Sequence, residues 1–195
     1  MKYIIYAVLY LFLLNVNIVY SDDILDSINE AKKHYEQNQY KKAFESLEYA
    51  AQLVRQKRAE FFKSLLPEPL EGWSAEDPKS EAIAPAFLGG GVTAQRNYKK
   101  NGSRITVKIV ADSPVIQAVL MIFSNPSLAA VSGGKLENIN KQKAIVEYDE
   151  TMKKGKATII AGTSIVVSVE GNNVLRSDII GFAECIDFEK LSKAQ

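Results

Sequence analysis

From Asp22 to about Leu66 apolar residues recur three and four positions apart, with no Gly or Pro among them. One set is Ile24, Leu25, Ile28, Ala31 and Tyr35; after the polar break Gln37-Asn38-Gln39 comes a second, Tyr40, Ala43, Phe44, Leu47, Ala50, Ala51 and Val54. A period near 3.6 gathers each set on one side of a helix. Asp22 and Asp23 suit a helix start, where a carboxylate accepts from free backbone N–H groups and opposes the positive end of the dipole. The pattern predicts two antiparallel helices, a hairpin over residues 22–66.

Leu66-Pro67-Glu68-Pro69-Leu70-Glu71-Gly72-Trp73 then ends the second helix, because proline lacks the N–H a helix interior needs and disfavours helix in the residue before it. Residues 67–91 read as a linker. Within it the Ala-rich piece Glu81 to Phe87 is expected to form a short helix leading to Gly89-Gly90-Gly91.

Beyond the glycines the period changes to two. Val92, Ala94, Arg96 and Tyr98 alternate with polar residues, Asn101-Gly102 supplies a type I′ turn, and Ile105, Val107 and Ile109 alternate again, which predicts a β-hairpin. Asp112-Ser113-Pro114 reads as a cap and first-turn proline for an apolar helix, Val115 to Phe123, closed by Asn125-Pro126. Four more strands are expected at Lys135 to Ile139, Lys143 to Tyr148, Ala157 to Ala161 and Ser164 to Glu170, then a last helix from about Leu175 to Cys185. The order β-β-α-β-β-β-β-α gives an α+β domain over 92–195, an antiparallel sheet with helices packed on one face.

The first 21 residues have a different character. Lys2 precedes an apolar run from Ile4 to Leu14, and Val19 and Ser21 are small or aliphatic residues three and one before a cut. That is the pattern of a signal peptide, with export to the periplasm or medium after cleavage near Ser21. The competing reading, a retained anchor, is weakened by Asn15 and Asn17, which interrupt the run short of the roughly 20 apolar residues a spanning helix needs.

Two resemblances rest on particular residues. Tyr35-Glu-Gln-Asn-Gln-Tyr40-Lys-Lys-Ala43-Phe-Glu-Ser-Leu47-Glu-Tyr-Ala50 resembles the middle of one tetratricopeptide repeat, whose second helix places aromatic, small, bulky and small residues at these intervals. Asn38 stands where the repeat usually has Gly, and a solenoid needs about three such units, so the resemblance implies a helical hairpin rather than a peptide-binding array. Gly72-Trp73, Gly89-Gly90-Gly91-Val92-Thr93-Ala94, Asp112-Ser113-Pro114, Phe123-Ser124-Asn125-Pro126, Gly133-Gly134-Lys135, Val169-Glu170-Gly171 and Ile186-Asp187-Phe188 resemble a family of exported bacterial proteins with no assigned function. The order of strands and helices is also similar to the PsbP/Mog1-type sandwich, a fold-level analogy.

Composition narrows the chemistry. The 24 basic and 23 acidic residues nearly balance, which argues against nucleic acid as a partner, since such proteins carry a basic surface. One His and one Cys leave too few ligands for a zinc site. His34, on the front helix, is far in sequence from any strand-turn Ser, and no Gly-x-Ser-x-Gly elbow occurs, so a Ser-His arrangement is not expected. Gly89-Gly90-Gly91 and Gly133-Gly134-Lys135 lack the spacing and ending of a phosphate loop and read as turns. Glu147, Asp149, Glu150 and Glu170 are a candidate acid/base set whose simpler reading is solvation beside turns. Lys99, Lys100, Arg104, Lys153, Lys154 and Lys156 cluster at turns toward one end of the sheet. Cys185 lies in an apolar helical pattern and reads as a buried thiol. No metal, cofactor or catalytic residue is assigned.

The most suggestive feature is the helix Val115-Ile-Gln-Ala-Val-Leu-Met-Ile-Phe123, polar only at Gln117. Burial between the sheet and the hairpin is the simpler account. The other is a hydrophobic ligand or partner site formed by Met121, Phe123 and Trp73. The functional expectation is an exported, non-enzymatic interaction or assembly module acting or self-associating through the hairpin at Tyr40 and Leu47, with no stable membrane anchor after cleavage. The alternative is a carrier of a small apolar or lipidic ligand.

Overall fold

The computed structural model describes residues 22–83, 90–125, 127 and 133–193. The leader, residues 84–89 of the expected Ala-rich helix and linker, and much of the loop before Gly133 lie outside them. The chain divides into two compact units, Met1–Ala51 and Gln52–Gln195. Among the described residues no helix is long and apolar enough to cross a membrane.

In the first unit, α1 (Asp23–Glu36) starts at Asp22, whose carboxylate accepts from the Ile24 N–H at 3.1 Å. Asn38, with φ 58°, makes the turn. This is the left-handed region that glycine enters most readily and asparagine next, so Asn38 can do there what a glycine would do. α2 (Tyr40–Ser64) follows. The buried residues of the hairpin are small: Ser27 and Ala31 on α1, Ala43 and Ala50 on α2.

The second unit contains the end of α2 and an eight-stranded, wholly antiparallel sheet: β1 (Ser74–Ala75), β2 (Lys79–Ile83), β3 (Gly91–Lys100), β4 (Ser103–Ala111), β5 (Lys135–Ile139), β6 (Gln142–Asp149), β7 (Lys154–Ala161) and β8 (Ile165–Asn172). The order is β1-β3-β4-β8-β7-β6-β5, with β2 also on β3. β3 and β4 are joined by Asn101 (φ 47°) and Gly102 (φ 82°), the two positive angles a type I′ turn requires. The helices are α3 (Val115–Ser124), α4 (Arg176–Glu184) and α5 (Phe188–Lys193). The α+β architecture is the one the periodicity predicts.

Alternation defines two faces. On the first, Ile105, Val107, Ile109 and Ala111 of β4 are fully buried with Ile165, Val167 and Val169 of β8 and Ile159 of β7. This face carries the core, closed by Phe62 and Leu66 from the end of α2, Ile179 and Phe182 of α4, and Leu191 of α5. The close approach of α4 depends on a glycine pair. Gly155 and Gly171 stand opposite each other on β7 and β8, and a Cβ on Gly155 would lie 2.5 Å from the Glu147 carbonyl oxygen and 3.1 Å from Ile179 Cδ1.

Residues 74–75 and 79–83 of the expected linker are strands. β1 and β2 both pair with β3, so Glu81 to Ile83 are strand, not the start of the expected Ala-rich helix: their backbone groups bond to the ladder of β3. The stretch before them is tied down from β3 as well. The Tyr98 hydroxyl donates to the Pro67 carbonyl at 2.6 Å, and the Arg96 guanidinium donates to the same carbonyl and to that of Glu76. Cys185 is exposed rather than buried; α4 ends at Glu184, and it is Ile186 that turns back into the core. α5 was not foreseen.

Candidate functional site

Each unit has one feature that packing within the unit does not explain. In the hairpin it is the fate of the large apolar side chains. Leu25, Ile28 and Tyr35 of α1 and Tyr40, Phe44 and Leu47 of α2 are all exposed, between 45% and 66%. The buried Ser27 and Ala31, with half-covered Ile24 and His34, form a 3-4-3 row along α1; Ala43, half-covered Ser46 and Ala50 form one along α2. One position later come Leu25, Ile28 and Tyr35 on α1 and Phe44 and Leu47 on α2, with Tyr40 one turn before Phe44. A one-residue step rotates a side chain about 100° around a helix. Because the helices run antiparallel, the same step turns both large rows toward the same side of the pair. The Tyr35 and Tyr40 rings meet at the turn, centroids 5.7 Å apart and edge to face, which joins the rows into one face.

Small residues at the seam let the helices approach closely, and Lys32, four residues after Ile28 and three before Tyr35, is the one charged side chain within the outer row of α1. His34 belongs to the seam: its Nδ1 is 2.8 Å from Gln39 Oε1 and its Nε2 3.6 Å from Glu30. Tyr40 and Leu47 are both exposed on this face. Leu25, Ile28, Tyr35 and Phe44 belong with them. For Ile28 and Phe44 the signal was a small-then-large doublet, Ser27-Ile28 and Ala43-Phe44; Leu25 and Tyr35 follow Ile24 and His34 and carry no such mark.

In the second unit the feature is the second face of the sheet. Lys108 and Val110 of β4, Val166, Ser168 and Glu170 of β8, Lys156 and Thr158 of β7, and Ile145 and Glu147 of β6 alternate with the core residues. α3 lies over this face, not over the core face with α4 and α5. Asp112, in the left-handed region with φ 53°, makes the turn after β4, and its carboxylate pairs with Arg58 instead of capping α3. Among the described residues of α3, Ile116 alone is buried; Val115 and Met121 are more than 60% exposed. The inner side of this helix rests on a row of the sheet that is partly polar.

Between α3 and the strands is a cavity of about 340 Å³. Val110, Ile145 and Val166 form its apolar floor and Val119, Ile122 and Phe123 its roof. It opens into a wider polar trough of about 810 Å³, and Glu147, Lys156 and Glu170 line both. These three stand side by side across β6, β7 and β8, with Lys156 Nζ 2.8 Å from Glu170. The carboxylates are separated by a lysine, not paired with each other. Asp149 accepts from the N–H groups of Thr151 and Met152, shaping a turn.

The ligand-site trio does not assemble. Phe123 lines the cavity, Met121 points to solvent at 67% exposure, and Trp73 is buried on the core face, its ring 5.2 Å from Phe182. The turn at Gly72 (φ 78°) swings the indole inward. Lys100 Nζ sits 5.9 Å from the indole centroid and Lys99 pairs with Glu76, so part of the basic cluster is engaged in holding strands together. Among the described residues no group of three or more His, Cys, Asp or Glu side chains could hold a metal ion. Compared with protein-family models, with curated proteins and with solved structures, the chain finds no match.

Proposed function

We propose that this chain is an exported, non-enzymatic assembly module that self-associates through the apolar face of its helical hairpin. The observation that carries this reading is the inversion in the hairpin: Ser27, Ala31, Ala43 and Ala50 are inside, and six large apolar residues are outside. A helix pair normally buries its large residues against another layer. Leaving six exposed costs roughly 1.5–3 kcal/mol for each that a partner could cover, and contiguous exposed apolar surface of this kind marks an interaction site.

The partner that fits is a second copy. A two-helix unit with a flat apolar face becomes a four-helix bundle when an identical face is laid on it, and two-fold dimers are the commonest closed assembly. In such a bundle Phe44 and Leu47 fill the centre, with the two tyrosines toward the turn end. Export follows from residues 1–21, whose basic start, apolar run and small residues carry that part of the proposal. Native mass spectrometry of the processed protein tests the reading: the expected spectrum is a two-chain species lacking the leader.

The cavity beneath α3 favours a second reading, a carrier of a small apolar or lipidic ligand. It belongs to the other unit and is compatible with a dimer.

A further inference from the structure

We infer that the cavity between α3 and the second face of β4, β8, β7 and β6 is a binding site for a medium-chain alkyl carboxylate, its chain between floor and roof and its head group on Lys108. The inference rests on the carrier reading and deepens it by specifying the ligand.

The walls define the tail. Val110, Ile145 and Val166 below and Val119, Ile122 and Phe123 above are aliphatic or aromatic. At about 340 Å³ the space lies at the small end of the range for small-molecule sites, roughly 300–1,000 Å³. One unbranched chain suits it better than a fused ring system or a two-chain lipid. The sheet supplies three apolar residues to the cavity beside Lys108, Thr158 and Ser168, and α3 covers that patch while leaving it unfilled.

Lys108 defines the head. It stands mid-strand on β4 beside the cavity, half-buried, between the uncharged Gln95 of β3 and Ser168 of β8. Lys156, the other cation on the lining, is neutralised by Glu170 at 2.8 Å; among the described residues Lys108 has no ion pair. An ammonium drawn partly out of water without a counter-charge is unfavourable, and an anion arriving with the ligand removes that penalty. Glu147 and Glu170 at the rim limit the charge of the anion. A monoanionic carboxylate is balanced by Lys108, whereas a phosphate monoester brings further negative charge toward both glutamates.

Calorimetric titration of the protein with octanoate and decanoate, each below its micellar concentration, and with decanol tests this. The expected result is saturable binding at one site, tightening about fourfold per added methylene, with decanoate bound at least about tenfold more tightly than decanol. In Lys108→Met the decanoate preference disappears while decanol affinity stays, which also shows that the cavity is intact. Val119→Trp, which fills the space from the roof, abolishes both. Decanol binding as tightly as decanoate in the unaltered protein, or Lys108→Met binding decanoate normally, overturns the carboxylate assignment and leaves the carrier reading standing. No saturable binding of either probe overturns both.

Discussion

The rings of Tyr35 and Tyr40 meet edge to face, 5.7 Å between centroids, across the turn that separates the two helices of the hairpin. Both side chains are more than half exposed, so the contact belongs to the surface of the hairpin and not to its interior. It marks where the apolar rows of α1 and α2 converge, each one residue beyond a row of small buried side chains. The division of labour between the rows is what makes the hairpin a candidate for assembly: one row holds the helices together, and the other is left for a partner.

If the rows do different work, enlarging the first and trimming the second have different effects. Ala31→Leu or Ala43→Leu places three more carbons between closely packed helices and lowers stability by about 1–3 kcal/mol, with loss of helical circular dichroism on milder heating. Tyr40→Ala leaves helicity close to normal and weakens association.

The glycine pair beneath α4 predicts a local packing failure. Gly155→Ala brings a methyl to 2.5 Å from a backbone oxygen, which cannot be relieved by a side-chain rotation, and costs about 2–4 kcal/mol. Gly171→Ala meets the ends of the Val174 and Ile179 side chains, which can shift, so its cost is smaller. Chemical denaturation followed by fluorescence of Trp73, the single tryptophan of the chain, ranks the two, because that indole packs on α4 through Phe182.

Tyr98 predicts an alkaline transition. Burial pushes its phenol above the ordinary value, which is about 10 for an unfolded chain. The folded state therefore holds the proton more tightly than the unfolded state. Its contribution is fully present below pH about 10 and is lost as the pH rises from there through the folded-state value. Tyr98→Phe removes this slope from a stability-against-pH curve and, by losing the hydroxyl donated to the Pro67 carbonyl, lowers neutral-pH stability by about 0.5–1.5 kcal/mol.

Asp112 combines a left-handed backbone with an ion pair to Arg58. Both partners are partly exposed, so the pair itself is worth at most about 1 kcal/mol. Asp112→Asn, which tolerates the backbone, costs no more than that in thermal melting. Asp112→Ala costs more, because alanine pays for the left-handed angle as well.

Periodicity carried most of the architecture. Ile105, Val107 and Ile109 alternate strictly, and Asn101-Gly102 specifies one turn type, so β3 and β4 emerged with their loop. β1 and β2 did not, because Ser74–Ala75 is too short to show a period and Lys79–Ile83 is an edge segment held by the backbone ladder of β3. The site was harder to see. Apolar spacing marked Ile24 and Leu25, or Ala43 and Phe44, as one stripe, whereas 100° of rotation separates an inside residue from an outside one. Met121, Phe123 and Trp73 were grouped as one alternative site on hydrophobicity alone, and hydrophobicity does not say which face of a sheet a residue reaches. Lys108 carries no mark in the sequence, because its meaning depends on what stands directly opposite it, Gln95 on β3 and Ser168 on β8.

Sedimentation equilibrium on the processed protein and on Leu47→Glu tests the central claim most directly. The account predicts a dimer for the unaltered chain and a loss of at least about 2 kcal/mol of association, roughly thirtyfold in Kd, for the variant, with the helical signal retained. A monomer at all accessible concentrations, or a Leu47→Glu dimer as tight as the original, would contradict it.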